Sequence, residues 1–250
     1  MEMHVDPAVV WHDIECGGYA ADLGAWEELA AAAGWGGGRA DVLDLGCGTG
    51  RVATHLARRG HRVTALDDDP VLVEALRSRA NGLELEAVVG DARDLDLGRR
   101  FGLVAAPMQL VQLMDEGERA RMLASIAGHL GPGGLAALAV MDRTPDEWQA
   151  GNGHAAPAPD VREHDAWIFS SLPLAIRCEP GGVVVHRLRQ IVSPDGELSE
   201  EEHFIRLHEL SADELEAEAA KAGLRPAGRR AVAESEDHVG STIVVLEGAG

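Results

Sequence analysis

Three glycines at alternate positions follow a short apolar run early in the chain. The run is Val42, Leu43 and Leu45, and the glycines are Gly46, Gly48 and Gly50. An apolar strand that ends in a glycine turn and leads into a helix lets the main chain approach a nucleotide-like ligand closely. We therefore interpret residues 41–50 as the strand and turn around which the rest of the chain is organised.

Carboxylates follow the next two apolar runs. Asp67 and Asp68 come directly after residues 62–66, and Asp91 follows residues 85–89. Ligands of parallel α/β sheets bind beyond the carboxyl ends of the strands, so these side chains are expected at one edge with the glycines. A carboxylate about 20 residues after such glycines is placed to bind both hydroxyls of a ribose, which points to Asp67. Asp91 could accept a hydrogen bond from an adenine amino group.

Alternating strands and helices position these residues. Five predicted strands between residues 40 and 141 are separated by helical stretches, a rhythm typical of right-handed βαβ units and a parallel sheet. The strands are predicted over 42–45, 62–66, 85–89, 101–106 and 135–141, and the helices over 51–59, 71–79 and 117–130, with a turn at 131–134. Asp69 is the predicted cap of the second helix, with Pro70 at its first position.

Further helices and strands flank this region. Residues 8–34 have helical apolar spacing that is interrupted at Gly17 and Gly18. Ser211 and Glu214 form a capping box that opens a last helix. Two final strands, near residues 225–232 and 241–246, are predicted to close the chain as a hairpin.

Residues 142–210 break the alternating rhythm. Residues 145–160 are rich in Pro, Gly and Ala and predict a loop, and extended runs follow over 167–172, 183–192 and 202–210. The turn Pro194-Asp195-Gly196 indicates a hairpin. We interpret this region as an antiparallel β insertion that forms a lid or an oligomer surface, with a homodimer through it as one expectation. The expected domains are a helical cover (1–38), a cofactor-binding core (39–141), the insertion (142–210) and a closing helix and hairpin (211–250).

Composition restricts the class of partner. The formal net charge of −20 over 250 residues argues against nucleic acid, because a phosphate backbone requires a basic face. No apolar run has the length of a membrane helix, and the N-terminus lacks the pattern of a signal peptide. The three cysteines have no CxxC spacing and predict free thiols in a cytoplasmic protein. The histidines lack metal-ligand spacing, so no metal site is expected.

Four short motifs carry a resemblance to a known family. They are Asp44-Leu45-Gly46-Cys47-Gly48-Thr49-Gly50, Ala65-Leu66-Asp67, Val89-Gly90-Asp91-Ala92 and Leu130-Gly131-Pro132-Gly133-Gly134. Together they resemble the class I S-adenosylmethionine-dependent methyltransferases. Segments at 18–23, 107–113 and 238–241 are similar to an actinobacterial-type small-molecule methyltransferase subgroup. The resemblance implies a Rossmann-like α/β fold with a seven-stranded sheet of order 3-2-1-4-5-7-6, in which the last strand is antiparallel.

The resemblance also implies the cofactor and its ligands. S-adenosyl-L-methionine would lie over the glycine turn and leave as S-adenosyl-L-homocysteine. The cofactor-binding residues implied are Asp44, Gly46, Cys47, Gly48, Gly50, Asp67, Asp68, Asp91, Ala92, Arg93 and Pro107. An NAD-dependent oxidoreductase is the competing interpretation, but the third glycine comes too early for Gly-x-Gly-x-x-Gly, and the turn offers no clear place for a pyrophosphate. A protein of this fold that binds the cofactor without methylating is a further alternative.

The acceptor side of the site is predicted from position rather than residue type. Methyl transfer from a sulfonium is an in-line displacement, so positioning dominates and a general base is optional. His238 is the candidate base because imidazole titrates near neutral pH. The further candidates for catalysis are Tyr19 and Gln109, and those for substrate binding are Met108, Gln112, His12 and Glu234. The expected function is methyl transfer to a small-molecule acceptor, as in a biosynthetic pathway.

Overall fold

A computed structural model describes residues 3–34, 38–141, 148–149, 158–234 and 239–248. Its helices are α1 (Pro7–Glu15), α2 (Leu23–Ala33), α3 (Arg51–Arg58), α4 (Pro70–Arg79), α5 (Glu116–His129) and α6 (Ala212–Lys221). Its strands are β1 (Asp41–Leu45), β2 (Arg62–Asp67), β3 (Leu85–Val89), β4 (Phe101–Ala106), β5 (Leu130–Val140), β6 (Trp148–Gln149), β7 (Asp160–His164), β8 (Trp167–Glu179), β9 (Gly182–Val192), β10 (Leu198–His208), β11 (Leu224–Val232) and β12 (Ser241–Gly248).

The chain divides into two compact units. The larger consists of Tyr19–Arg143 and Leu210–Gly250, and the smaller of Met1–Gly18 and Thr144–Glu209. The predicted N-terminal cover is therefore divided, with α1 in the smaller unit and α2 in the larger. None of the helices in the described ranges combines the length and apolar character needed to cross a lipid bilayer.

The larger unit contains a seven-stranded sheet in the order β3-β2-β1-β4-β5-β12-β11. Strands β1 to β5 are parallel, while β12 pairs antiparallel with both β5 and β11. This order confirms the predicted methyltransferase-type sheet. Local signals fix the helix starts as expected, because Asp69 caps α4 through the N–H of Val71, and Ser211 with Glu214 forms the capping box of α6.

Both faces of this sheet are covered by apolar side chains, as expected for a parallel sheet between helices. One buried cluster joins Val42 of β1 to α2, α3 and α4, and the other joins Leu43 and Leu45 of β1 to α5 and α6. Side chains alternate between the two faces of a strand, so Asp44 lies on the same face as Val42. The carboxylate is thereby directed to the side of the sheet on which α3 packs.

Strand β5 begins earlier than predicted. Residues 131–134 were expected to form a turn before a strand from Leu135, but β5 starts at Leu130. The pairing with β4 shifts register there, from Phe101 opposite Leu130 to Leu103 opposite Leu135, and Gly133 has a φ of +71°. The glycine-rich segment thus forms an irregularity inside the strand rather than a separate connection.

The smaller unit contains an antiparallel sheet in the order β10-β9-β8-β6, with β7 also paired to β8. The predicted antiparallel insertion and the turn between β9 and β10 are present. Strand β7 was not predicted, and β8 continues to Glu179 instead of ending at Leu172. Pro173 ends the sequence pattern of a strand, yet a register shift between Pro173 and Ala175 accommodates it, because a bulge tolerates a residue without an N–H.

Candidate functional site

The glycine turn after β1 adopts a left-handed conformation at each glycine. The φ values are +63° at Gly46, +53° at Gly48 and +93° at Gly50. The main-chain N–H of Cys47 donates to the carbonyl of Leu66 at the end of β2, at 3.0 Å. Residues other than glycine rarely adopt these φ values, so the turn depends on all three glycines.

Two of the glycines also make room for the protein itself. A Cβ atom at Gly50 would lie 2.2 Å from Cδ1 of Leu76 on α4, and one at Gly46 would lie 2.9 Å from Leu110. The sequence interpretation gave ligand approach as the reason for Gly50. Packing of α4 against the turn is an independent reason that the sequence pattern could not reveal.

Asp67 at the end of β2 reaches the glycine turn directly. Its Oδ2 accepts the N–H of Gly48 at 2.8 Å, and its Oδ1 accepts the N–H of Asp69 at 3.0 Å. Each carboxylate oxygen has a second lone pair, so these bonds leave acceptor capacity for ribose hydroxyls. The contact with Gly48 was not predicted, and it places a negative charge beside the N–H that a pyrophosphate would need.

Asp44 lies beneath the turn without a hydrogen-bond partner. It is 1% exposed, and neither carboxylate oxygen has a partner among the described residues. Burial raises its pKa to about 7, against the positive charge of Arg51 and the nearby main-chain N–H of Ala53, which both lower it. A buried carboxylate without donors is costly, so its presence indicates a group that the protein alone does not supply.

Arg51 at the start of α3 is held by Asp22. Its Nη2 donates to Asp22 Oδ2 at 2.9 Å while Nη1 contacts Oδ1, and both side chains are buried. Asp22 also accepts the indole N–H of Trp26 at 2.8 Å. Because its charge is committed to this bidentate pair, Arg51 leaves the carboxylate of Asp44 without a donor.

Tyr19, a predicted catalytic residue, is part of this cluster. The guanidinium of Arg51 lies 5.1 Å from the centre of the Tyr19 ring and donates a hydrogen bond to the main-chain carbonyl of Tyr19 at 2.9 Å. Burial and the charge of Asp22 raise the pKa of Tyr19, against a hydrogen bond with Ser241 that lowers it. Ser241 begins β12, where the next residue pairs with Val140 at the carboxyl end of β5. The structure therefore brings Tyr19 to the same edge of the sheet as the glycine turn.

The predicted adenine ligands follow β3. Asp91 is half-buried, and its carboxylate is bound by Arg93. The hydrogen bond from Arg93 holds the pKa of Asp91 below its usual value. Ala92 is buried in the core cluster, whereas Asp68 after β2 is exposed.

The segment after β4 combines a strained residue with a buried amide. Pro107 is buried, and Met108 has a φ of +54°, a conformation that a methionine rarely adopts. Gln109 is partly exposed. Gln112 is 2% exposed, and its side chain accepts the N–H of Met141 at 2.8 Å and donates to the carbonyl of Met141 at 3.4 Å. Sequence reasoning expected Gln112 to bind substrate, whereas this amide holds the end of β5.

The remaining predicted residues are His12, Glu234 and His238. His12 lies on α1 in the smaller unit, and Glu234 is exposed just after β11. His238, the predicted general base, lies outside the described residues. Within the described ranges, no three His, Cys, Asp or Glu side chains are grouped as metal ligands.

Comparison with known proteins finds a family model that covers the glycine turn. A model described as a methyltransferase domain matches residues 42–134, which include the turn, Asp67 and Asp91. The cypemycin N-terminal methyltransferase of a Streptomyces species is 40% identical over 115 residues, which are 46% of each chain. The chain thus spans less than half the length of the curated relatives it matches.

Solved structures resemble a larger part of the chain. The sugar N-methyltransferase KedS8 from Streptoalloteichus superposes with a TM-score of 0.71 at 20% identity, covering 98% of this chain and 94% of that one. The amino pentose methyltransferase CalS10 from Micromonospora echinaspora, whose structure contains bound S-adenosylmethionine, gives 0.68 at 20% identity and covers 98% of both chains. At such identities the likeness establishes the fold. Residues 42–134 therefore match a methyltransferase domain, and the chain shares its fold with solved methyltransferase structures.

Proposed function

We propose that this protein transfers a methyl group from S-adenosyl-L-methionine to a small-molecule acceptor. The observation that carries the proposal is the glycine turn with its two carboxylates, Asp67 bonded to Gly48 and the unpartnered Asp44 beneath it. When bound, the cofactor supplies a methyl group on a positively charged sulfonium, which a nucleophile takes by in-line displacement. A ligand with an ammonium and a sulfonium group suits a turn whose nearby charges are mainly negative.

The residues of this edge divide the binding between them. Asp67 would accept the ribose hydroxyls with its remaining lone pairs, and the ionised carboxylate of Asp44 would attract the ammonium end of the methionine part. Asp91, with the main chain at Ala92, would bind the adenine.

The turn is poorly suited to NAD. A pyrophosphate binds the free N–H groups of a glycine turn and the positive end of the following helix. Here the N–H of Gly48 already donates to Asp67, and the guanidinium of Arg51 is bound to Asp22. Two phosphate charges would therefore meet Asp67 without a free cation among these groups.

On the acceptor side, we propose that Tyr19 and Gln109 position the substrate beside the methyl donor, with Met108 as an apolar contact. His238 would remove the proton of the acceptor if the reaction requires a base. Amines are the acceptors to test first, because the cypemycin, KedS8 and CalS10 proteins are described as N-terminal, sugar N- and amino pentose methyltransferases. Phenols belong in the same panel, since O-methyltransferases are also among the relatives.

Calorimetric titration with S-adenosylhomocysteine tests the cofactor, with NADH as the control ligand. Asp67→Asn keeps an acceptor for the N–H of Gly48 but removes the charge, so we expect it to weaken binding by about 1–3 kcal/mol. The exposed Asp94→Asn is the matched control and should bind as the wild type does. Binding of NADH in place of S-adenosylhomocysteine would contradict the proposal.

Turnover distinguishes an enzyme from a protein that only binds the cofactor. Incubation with S-adenosylmethionine and the acceptor panel, followed by mass spectrometry, should give a product heavier by one methylene unit. Tight cofactor binding with no product from any acceptor would favour a non-methylating role for the same fold.

We also propose a homodimer through the smaller unit. The outer edge of β10 has no partner strand among the described residues. Pairing of two copies antiparallel about His203 would bring Glu200 opposite Arg206. Light scattering should then give twice the chain mass of 26.4 kDa, and reversal of both charges at once should preserve it better than either single reversal. A monomer at all concentrations would contradict the dimer.

A further inference from the structure

We propose that Arg93 and Glu118 are positioning residues that fix the carboxylate of Asp91 toward the adenine and make the site selective for the 6-amino group. The inference rests on the proposed function, since it requires the cofactor to bind at this edge. It adds Glu118, which the motifs did not include, and it assigns Arg93 an indirect role instead of a contact with the cofactor.

Arg93 holds the carboxylate of Asp91 with both its side chain and its main chain. Nε of Arg93 donates to Oδ1 at 2.8 Å and to Oδ2 at 3.0 Å, and the main-chain N–H of Arg93 donates to Oδ1 at 2.8 Å. Three bonds fix the plane of the carboxylate. Oδ2 receives only one of them, so it retains a lone pair for a further donor.

Arg93 is itself held by a glutamate of α5. Its Nη1 donates to Oε1 of Glu118 at 2.5 Å. Oε2 of Glu118 accepts the N–H of Asp115, and the N–H of Glu118 donates to Asp115 Oδ1, so the capping box of α5 fixes the glutamate. The guanidinium is therefore held between Asp91 and a residue that the start of a helix anchors.

The main chain around Arg93 is fixed to the same helix. Oγ of Ser125 on α5 donates to the carbonyl of Arg93 at 3.2 Å and accepts the N–H of Leu95 at 3.3 Å. Side chain and main chain of Arg93 are thus both bound to α5. Such double support is what keeps a ligand-binding carboxylate in one orientation.

Selectivity follows from the chemistry of the two groups. A fixed carboxylate accepts a hydrogen bond from the 6-amino group of adenine, whereas the 6-oxo group of hypoxanthine presents a second acceptor and repels it. Arg93 in direct contact with the base would have the opposite preference, because a guanidinium donates to an oxo group. The two arrangements therefore predict opposite effects of removing Arg93.

The experiment compares the calorimetric affinities for S-adenosylhomocysteine and S-inosylhomocysteine, the analogue with hypoxanthine in place of adenine. We expect the wild-type protein to prefer the adenine compound by about 10–100-fold, the value of one hydrogen bond to a charged group. Arg93→Ala should lower this preference by about tenfold, the value of one charged hydrogen bond. Glu118→Gln should lower it less, because a glutamine still completes the capping box and preserves α5.

Arg229→Ala is the matched control. Arg229 also binds two carboxylates, Glu216 and Asp213, but it lies on β11, at the opposite end of the sheet order from β3. Its removal should leave the preference unchanged. The inference would be overturned if Arg93→Ala showed the same preference for the adenine compound as the wild type, or a larger one. It would also be overturned if the wild type bound both compounds equally. A wild type that binds neither would contradict the proposed function itself.

Discussion

Asp44 of the larger unit and Glu15 of the smaller unit are both buried carboxylates with opposite surroundings. Oε1 of Glu15 accepts from Ser171 at 2.8 Å and from Arg189 at 2.9 Å, and Oε2 accepts from Arg189 at 2.7 Å. Burial alone would raise the pKa of Glu15, but the bonds from Arg189 and Ser171 hold it below its usual value. Asp44 has no side-chain donor among the described residues, only the nearby main-chain N–H of Ala53, and its pKa rises to about 7.

The difference separates a structural carboxylate from one kept for a ligand. Glu15 lies on α1, and its partners lie on β8 and β9, so its ion pair fastens the helix to the sheet of the smaller unit. Asp44 joins no two elements of the larger unit by an ion pair within the described residues. An unsatisfied charge of this kind is retained where function requires it, at the cost of stability in the free protein.

The largest expected effect on stability comes from Asp44→Asn. Because the pKa of Asp44 is raised, its contribution to stability is complete at low pH and is lost as the pH rises through about 7. The neutral variant should therefore gain about 2–4 kcal/mol over the wild type near pH 8.5 and little near pH 4. Urea denaturation at both pH values measures the difference, and a variant less stable than the wild type at the higher pH would contradict it.

Glu15→Gln should act in the reverse direction. The substitution leaves Arg189 with only the more distant and more exposed Glu201 as its counter-charge, so we expect a loss of about 2–3 kcal/mol, somewhat less than for a fully buried pair. Hydrogen exchange of the α1 amides should show the same loss locally. The exposed Glu163→Gln in the same unit is the control. Unchanged hydrogen-exchange protection of the α1 amides would contradict a structural role for the pair of Glu15 and Arg189.

His61 tests whether the pKa of a buried group depends on its hydrogen-bond partners or on the unit in which it lies. It lies in the larger unit, is 6% exposed, and its Nδ1 accepts the N–H of Ala40 at 3.2 Å. Burial lowers its pKa, against the charge of Glu27, which raises it, while Arg39 lowers it further. Its stabilising effect is therefore present above about pH 6.5 and is lost as the pH falls.

We expect the effect of His61 to be the smallest of the three, about 1 kcal/mol, the value of one hydrogen bond. His61→Gln should flatten the acid side of the stability profile without changing cofactor affinity. NMR titration of the imidazole checks the sign directly. A pKa of His61 above its usual value would show that hydrogen-bond partners do not determine the pKa values of buried groups in this unit.

The sequence predicted the sheet order and the glycine turn because both are encoded locally. The alternation of strands with capped helices, seen at Asp69 and at Ser211, survives in the structure. Strand β7 escaped prediction because the turn that joins it to β8 is made by Asp165 and Ala166, which adopt positive φ without the glycine that usually marks such a turn. The full length of β8 escaped prediction because a register shift next to Pro173 lets the strand continue past this residue.

The candidate site was predicted in outline but not in its connections. Asp67 and Asp91 were found from their positions after strands, and Asp44 was implied by the resemblance of the glycine-turn motif. The hydrogen bonds between Gly48 and Asp67, between Met141 and Gln112, and between Arg93 and Glu118 join residues that only the fold brings together. The lack of a partner at Asp44 could be seen only in the structure.

The most direct test of the central claim is the pH dependence of S-adenosylhomocysteine affinity in wild type and Asp44→Asn. If the ionised Asp44 attracts the ammonium group of the ligand, wild-type affinity should rise about tenfold between about pH 6 and about pH 8. The affinity of Asp44→Asn should be lower and nearly constant over the same range. Equal, pH-independent affinities of the two proteins would show that the unpartnered carboxylate is not kept for this ligand.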